Sequence, residues 1–276
     1  MTMLDAHQHV WTIGRHDYFW LKPGLAIHRD YALDDLRPLL GGVTGTVLVQ
    51  AAPCTEETDF LLAVAQASGG LVRGVVGWVD LAAPAAPDAI AALAARPLVK
   101  GVRPMLGFIE ETGWILRPEL RTALDALERA GLSLDVPARP RHLPLLVELA
   151  QRHPALAMVI DHGAKPAIAQ GGFAPWAHDI ARVARETPAF CKLSGLATEA
   201  SALWDDEELQ PYVEHLLECF GPQRLMWGSD WPVVDLAGGF VRWREACLRM
   251  VPPALQEAVM GETARTFYRL GTPPDH

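Results

Sequence analysis

Long hydrophobic runs are missing from this chain of 276 residues: half of it is apolar, yet no stretch approaches the ~20 consecutive apolar residues that a bilayer-spanning helix needs. Its first residues lack the basic segment and apolar core of a secretory signal, so a cytoplasmic location is expected and a membrane partner is not. Cysteine is scarce. Cys54, Cys191, Cys219 and Cys247 are scattered and never form a C-x-x-C pair, which points to reduced thiols rather than a disulfide framework. Positive charge is short as well: 24 Lys and Arg stand against 33 Asp and Glu, for a net charge of -9, with no basic cluster. A nucleic-acid partner is therefore not expected. No G-x-G-x-x-G turn follows the first strand-like run, which argues against an open dinucleotide-binding sheet. No G-x-S-x-G elbow is present, which argues against a serine nucleophile. No Ser- or Gly-rich linker divides the chain, and a single domain over residues 1–276 is expected.

What is present is an alternation. Eight strand-like runs stand out: Leu4–Val10, Thr46–Gln50, Val72–Asp80, Val99–Arg103, Leu132–Val136, Ala157–His162, Ala189–Gly195 and Leu225–Asp230. Most are continuous Val, Ile and Leu runs, as parallel strands covered on both faces should be. They recur roughly every 30 residues, the length of a strand plus its returning helix. Thr55 can cap a helix with Glu56 and Glu57 in its first turn and Phe60, Leu61 and Val64 on its buried face. Pro118 opens another, with Leu120, Leu124 and Leu127 as its stripe and Gly131 past its end. Leu143, Leu146, Val147 and Ala150 mark a third, and Val213, Leu216, Leu217 and Phe220 a fourth that stops at Gly221-Pro222. A last helix is expected over Leu255–Leu270. Eight βα units in one chain of this size predict an α/β fold of the (β/α)8, or TIM barrel, kind. The aperiodic stretch Thr12–Pro38, which holds Tyr18, Phe19 and Trp20, is expected to fold over the barrel mouth.

In such a barrel the active site lies at the carboxyl ends of the strands. Here those ends are polar almost everywhere. Asp5, His7 and His9 alternate along the first strand and so share a face. Gln50 ends the second, Trp78-Val79-Asp80 the third and Arg103 the fourth. Asp135, Asp161-His162, Lys192-Leu193-Ser194 and Ser229-Asp230-Trp231 follow in turn. Two imidazoles side by side can grip a divalent metal, an anion or a carbonyl group. Asp161 and His162, being neighbours, should face opposite ways; His162 is taken as inward, partly on the family resemblance given below, and Asp161 as a buried hydrogen-bond partner. Asp5 sits one layer deeper than His7 and is as suited to orienting a ligand as to being one. Lys192 could touch substrate or pair with a carboxylate. His142 could cap its helix or line the rim, while His16, His28, His153, His178 and His215 are expected at the surface. Trp11, Trp20 and Trp231 are the aromatic rings expected near a substrate.

Seven segments in order, Asp5-Ala6-His7-Gln8-His9, Val76-Gly77-Trp78-Val79-Asp80, Lys100-Gly101-Val102-Arg103, Pro140-Arg141-His142-Leu143-Pro144, Asp161-His162-Gly163-Ala164-Lys165-Pro166, Cys191-Lys192-Leu193-Ser194-Gly195 and Gly228-Ser229-Asp230-Trp231-Pro232, resemble the amidohydrolase superfamily. Within it they resemble the amidohydrolase-2 group of sugar lactonases and pyrone-dicarboxylate hydrolases. The resemblance implies a distorted (β/α)8 barrel of the metal-dependent-hydrolase type and a working set of His7, His9, His162 and Asp230. The chain departs from the two-metal pattern, because its fifth strand ends in Leu134-Asp135-Val136-Pro137 without a histidine and Lys100 lies early in its strand. Two states stay open: one divalent ion, zinc first, on His7, His9 and Asp230 with or without His162, or no required metal.

The chemistry expected is addition of water to an acyl carbon. Asp230 serves as general base, while His162 and the His7/His9 pair polarise the carbonyl. Arg103 serves as a cation for a carboxylate, an oxyanion or hydroxyls. Gln50, Trp78, Lys192, Trp231, Trp20 and His142 are the further substrate contacts expected. The target that fits is a small-molecule lactone, an aldonolactone such as L-fucono- or L-rhamnono-lactone. Alternatives are hydrolysis of 2-pyrone-4,6-dicarboxylate or a muconolactone, for which Arg139 and Arg141 could supply extra cations; metal-dependent decarboxylation on the same fold; and sugar binding without turnover. A homodimer is compatible with all of these.

Overall fold

The computed structural model describes residues 2–271. Eight strands, β1 Met3–Gln8, β2 Val43–Val49, β3 Val72–Gly77, β4 Val99–Val102, β5 Ser133–Val136, β6 Met158–Ile160, β7 Phe190–Leu193 and β8 Leu225–Trp227, pair in sequence order and all in parallel. The helices that return the chain are α1 Leu33–Leu36, α2 Thr55–Ala67, α3 Ala86–Ala94, α4 Arg121–Ala130, α5 Leu143–Arg152, α6 Phe173–Glu186, α7 Asp206–Phe220 and α8 Gly239–Met250, followed by short α9 Pro253–Glu257 and α10 Thr263–Phe267. This is the predicted (β/α)8 barrel. No helix among the described residues is long and apolar enough to cross a membrane.

The strands are apolar on both faces because both are covered. One set of their side chains, Leu4, Ala6, Val47, Val49, Val76, Val159 and Met226, packs into a small cluster with Ala264, Phe267, Tyr268 and Leu270. Residues 264–270 thus plug the barrel interior from below. The alternate set, including Leu48, Val75, Val102, Leu134 and Ile160, joins the larger core shared with the helices. Each such burial contributes about 1.5–3 kcal/mol, so the two-sided pattern stabilises closure of the sheet.

Several ladders stop earlier than the apolar runs do. β1 ends at Gln8, β3 at Gly77 and β8 at Trp227, so His9, Trp78–Asp80 and Gly228–Asp230 stand just beyond the pairing. Apolar patterning does not mark where hydrogen bonding ends as the strands flare. The helices need similar correction. Cys54, not Thr55, occupies the cap position of α2 and offers no side-chain bond, and its buried face is Glu57, Thr58, Leu61, Leu62 and Ala65, with Phe60 and Val64 only half-buried. Pro118 begins a 3-10 turn leading into α4, which Gly131 ends in the left-handed conformation at φ 65. The expected continuous Leu255–Leu270 helix is broken by a π turn over Ala258–Glu262. There Gly261 lies against the carbonyl of Thr2, where a Cβ would clash with the backbone entering β1.

The stretch 12–38 does lie across the mouth. Trp11 bridges Tyr31, the Trp20 indole donates to Ala51 O at 2.7 Å, and Phe19 stacks edge-on against Phe108. Glu57 anchors the same corner, its carboxylate accepting from Ala51 N at 2.9 Å and Ala52 N at 2.6 Å. Burial pushes the Glu57 carboxyl up to about 7 against those donors. An unfolded chain releases that proton near the ordinary glutamate value, so between roughly pH 4.5 and 7 the folded state holds one more proton and stability falls as pH rises. Glu57→Gln removes this linkage. Its unfolding free energy relative to wild type should improve between pH 4.5 and 7.5 by on the order of 3 kcal/mol, at ~1.4 kcal/mol per unit. Urea titrations at the two pH values check this, and a pH-independent difference would remove Glu57 from the account.

Candidate active site

The site is built on the seam where β8 meets β1. Beyond the ladders the two chains still bond: Asp230 N donates to His7 O at 2.8 Å and His9 N to Trp231 O at 2.7 Å. Gly228 permits the approach, since a Cβ there would meet His7 Cβ at 2.8 Å. Asp5 fastens the seam from below. Its carboxylate accepts from Ser229 N at 2.8 Å, Ser229 Oγ at 2.6 Å and His7 N at 3.0 Å. Burial raises Asp5 to about 7 although these donors oppose it. Asp5 therefore orients the site rather than entering it. Asp230 adopts φ 57, a left-handed conformation rarely held by a residue with a side chain, which the paired seam maintains.

The result is a ring of four polar atoms. His7 Nε2 and His9 Nε2 are 3.1 Å apart, and Asp230 Oδ1 lies 3.7 Å from the first and 3.4 Å from the second. His162 Nε2 is 3.8 Å from the same oxygen. His9 Nδ1 is bonded to Val49 O at 2.7 Å; a carbonyl can only accept, so His9 donates from Nδ1 and keeps a lone pair on Nε2. His7 Nδ1 lies 3.0 Å from Lys192 Nζ and 3.4 Å from Asp161 Oδ1. Accepting from the lysine leaves a proton on Nε2 shared towards His9; donating to the aspartate bares Nε2. In that second tautomer two lone pairs and a carboxylate converge on one point, an arrangement that suits a cation. Separations of 3–4 Å are those of ligands about one ion with bonds of ~2.0–2.2 Å. His7, His9 and Asp230 therefore fit a divalent metal, and Asp161 behind His7 completes a carboxylate–histidine relay.

Electrostatics agree with this. Burial, reinforced for His7 by the Lys192 ammonium, holds His7 and His162 well below the ordinary histidine value, so both rings stay neutral and able to ligate or donate. Burial opposes ionisation of Asp230, but His162, His9 and the Lys165 ammonium beside it outweigh that and hold its carboxyl below the usual range. Asp230 is an anion.

Beneath the ring lies a layer closed to solvent. Lys192 Nζ donates to Asp135 Oδ2 at 2.6 Å, pairs with Asp161 Oδ1 at 2.9 Å and lies 3.0 Å from His7 Nδ1, so it is fully enclosed by these groups. The substrate contact expected of Lys192 is thus replaced by a carboxylate pairing. Tyr268 donates to the same Asp135 oxygen. Burial acts to ionise neither carboxyl, yet Lys192, His7 and Arg103 together hold Asp161 well below its ordinary value, whereas burial prevails at Asp135 and raises it. Asp161 does not face away from His162 as strand alternation predicts. β6 ends at Ile160, and His162, Gly163, Ala164 and Lys165 run in positive φ, which turns both side chains towards the centre. Gly195 makes room for this turn, because a Cβ there would meet the His162 ring. Ser194 Oγ bonds His162 Nδ1 at 2.8 Å.

The remaining predicted contacts divide. Arg103 is 7% exposed, donates from Nε to Asp161 at 2.7 Å and from Nη1 to Gln50 O at 3.3 Å, and keeps Nη2 without a bond among the described residues. Gln50 spans to Arg103 O through Nε2, and its buried Oε1 has no partner. Trp78 and Trp20 are half-buried at the mouth. Trp231 and Trp11 are not available rings: both are buried, Trp231 edge-on to Tyr31 and Trp11 bonded to Arg29 O. His142 is buried too, its Nδ1 accepting from Arg139 N at 2.9 Å in a cap while Nε2 has no partner. Burial and the flanking arginines lower it to about 4. Arg139 turns to Glu199 and Arg141 to Ile109 O. Of the histidines expected at the surface, His178 is exposed and His16, His28 and His215 are half-buried, but His153 is buried. Asp135 and Ser194 enter the sequence reading only as polar strand ends, without these partners, and Lys165 and Tyr268 have no role in it. Lys165 and Ser194 lie within the quoted motifs, which was a usable signal; nothing local pointed to Tyr268.

A family model described as amidohydrolase matches residues 4–270. The chain is 44% identical over 280 residues to an L-fucono-1,5-lactonase of Burkholderia ambifaria, covering 98% of this chain and 96% of that protein. It is 33% identical to an L-fucono-1,5-lactonase of Burkholderia multivorans, with 99% and 97% covered. It also superposes on the crystal structure of an amidohydrolase from Burkholderia multivorans with bound zinc, at a TM-score of 0.89 and 32% identity over 98% of this chain and 100% of that one.

Replacing Lys192 by Met strands Asp135 and Asp161 face to face. Breaking such a buried set costs about 3–5 kcal/mol, and the urea midpoint should fall accordingly. An unchanged midpoint would deny Lys192 its structural part.

Proposed function

The chain belongs to the amidohydrolase family, and we propose that the mouth of its barrel opens the cyclic ester of a sugar lactone of the L-fucono-1,5-lactone class. The observation that carries this reading is the ionised Asp230 carboxylate with ring nitrogens of His7, His9 and His162 within 3.8 Å, at the end of a barrel where substrate enters. Similarity to two L-fucono-1,5-lactonases over nearly the whole chain supports the substrate class.

In this reading Asp230 accepts a proton from water as the water oxygen bonds to the lactone carbonyl carbon. His162, fixed through Nδ1 by Ser194, presents Nε2 towards the carbonyl oxygen. The ring C–O bond then breaks, and the proton held by Asp230 passes to the departing ring oxygen. The products are one acid and one hydroxyl on the same molecule. Its leaving group stays tethered, so one base and one electrophile suffice. Arg103, steadied by Asp161, directs its open Nη2 to the substrate's oxygen atoms, and the half-buried faces of Trp20 and Trp78 cover the sugar ring. A divalent ion, zinc by preference, would be held by His7, His9 and Asp230, and when bound would supply Lewis acidity for the carbonyl. Support for it comes from the donor geometry and from the zinc-bound relative.

A panel of aldonolactones with a pH indicator tests the reading, run on native and chelator-treated protein. Acid release from L-fucono-type lactones is expected; silence on every lactone would overturn it. Asp230→Asn should keep the fold and lower kcat by at least ~10²-fold, the low end of what a general base contributes. A variant within threefold of wild type would remove Asp230 from proton transfer.

A further inference from the structure

A second convergence of ligand-type side chains lies in the helix layer, away from the mouth and independent of the lactonase reading. Asp125 and Glu128 stand three residues apart on α4 and so share a face. His153 follows the last turn of α5, where the chain turns back to enter β6 at the opposite end of the barrel. We infer that Asp125, Glu128 and His153 form a divalent-cation site that ties α4 to α5.

The geometry is specific. His153 Nδ1 lies 3.1 Å from Asp125 Oδ1 and 3.8 Å from Glu128 Oε2, and one ligand atom from each residue falls within 4.8 Å of the others. Each carboxylate has its other oxygen engaged elsewhere. Glu128 Oε1 accepts from Ala155 N at 2.8 Å, and Asp125 Oδ2 faces Arg121 Nε at 4.0 Å. One oxygen of each is thereby left for a common target. His153 is only 5% exposed, yet its Nδ1 makes no hydrogen bond, being aligned with neither oxygen. A simple imidazolium–carboxylate pair would bring an N–H in line with one of them. A nitrogen aimed between two oxygens is instead how three ligands surround an ion.

One nitrogen and two carboxylate oxygens suit zinc or a similar transition ion, whose tetrahedral shell needs one more ligand. Water can supply it from a cavity of about 500 Å³ that Asp125 and His153 line together with Leu116, Leu124 and Leu149. Of the three arginines around that cavity, Arg117 turns to Glu111 and Arg152 to Glu148 and Leu116 O, while Arg121 faces only the outer oxygen of Asp125 at 4.0 Å. They leave room for a cation. An ion here would act as a cross-link between neighbouring helices, stabilising the fold without touching the chemistry.

The test is a zinc count on the full chain. Wild type, His153→Gln and Glu128→Gln are stripped with chelator, dialysed against excess zinc and then against zinc-free buffer, and the metal is measured by elemental analysis beside circular dichroism. Wild type should hold one equivalent more than either variant, and zinc should raise its unfolding temperature more than theirs. Equal zinc content in wild type and both folded variants overturns the site and leaves a buried ion pair. Zinc in wild type that disappears entirely on His7→Asn overturns it as well, because the metal would then belong to the mouth alone.

Discussion

An ammonium between two carboxylates, with no water to screen them, is the interaction on which the centre of this molecule depends. Lys192 can stay in the barrel only because Asp135 and Asp161 meet it, and those carboxylates are tolerable only because it is there. The arrangement is asymmetric. Asp161 also receives Arg103 and faces His7, so negative charge concentrates on the side nearer the mouth, while Asp135 shares its oxygen with Tyr268. His7 thus has a donor and an acceptor within reach of the same nitrogen. The proton at that nitrogen determines whether Nε2 offers a proton or a lone pair to the site, which links the buried layer to the reacting layer.

The second constraint is the closing seam. Asp5 and Ser229 are 224 residues apart in sequence and bonded directly, and the left-handed turn at Asp230 is held by backbone bonds to β1. The positive-φ turn after β6 does the corresponding work for His162. Chemistry at the mouth therefore rests on backbone conformations that strands do not supply, at the points where regular pairing has just stopped.

This explains what the sequence made legible. Strand order and barrel closure follow from apolar runs at a steady period. The ring of His7, His9, His162 and Asp230 could be named because each residue sits at a strand end within a recognisable motif. Errors arose where a residue's direction depends on something other than alternation. Asp161 is the buried hydrogen-bond partner expected, but it does not face away from His162, because the strand period gives way there to a left-handed turn. Trp231 is expected against substrate as an aromatic face for a sugar ring, yet its ring fills the gap beside Tyr31. Lys192 could be read two ways until its partners on other strands were known, and Tyr268 was invisible because no local pattern ties it to Asp135.

The hydrogen bond from Tyr268 to Asp135 bears on how the molecule is made. Synthesis is vectorial: the ribosome delivers the histidines of β1 first and residues 264–270 after all eight strands. Until those residues arrive, the floor of the barrel is open, and Asp135 and Lys192 meet water from below. A nascent chain can therefore assemble its strands and still lack the dry interior that sets the protonation of His7. Competence of the centre waits on residues 264–270 and is conferred from the end of the barrel farthest from the substrate.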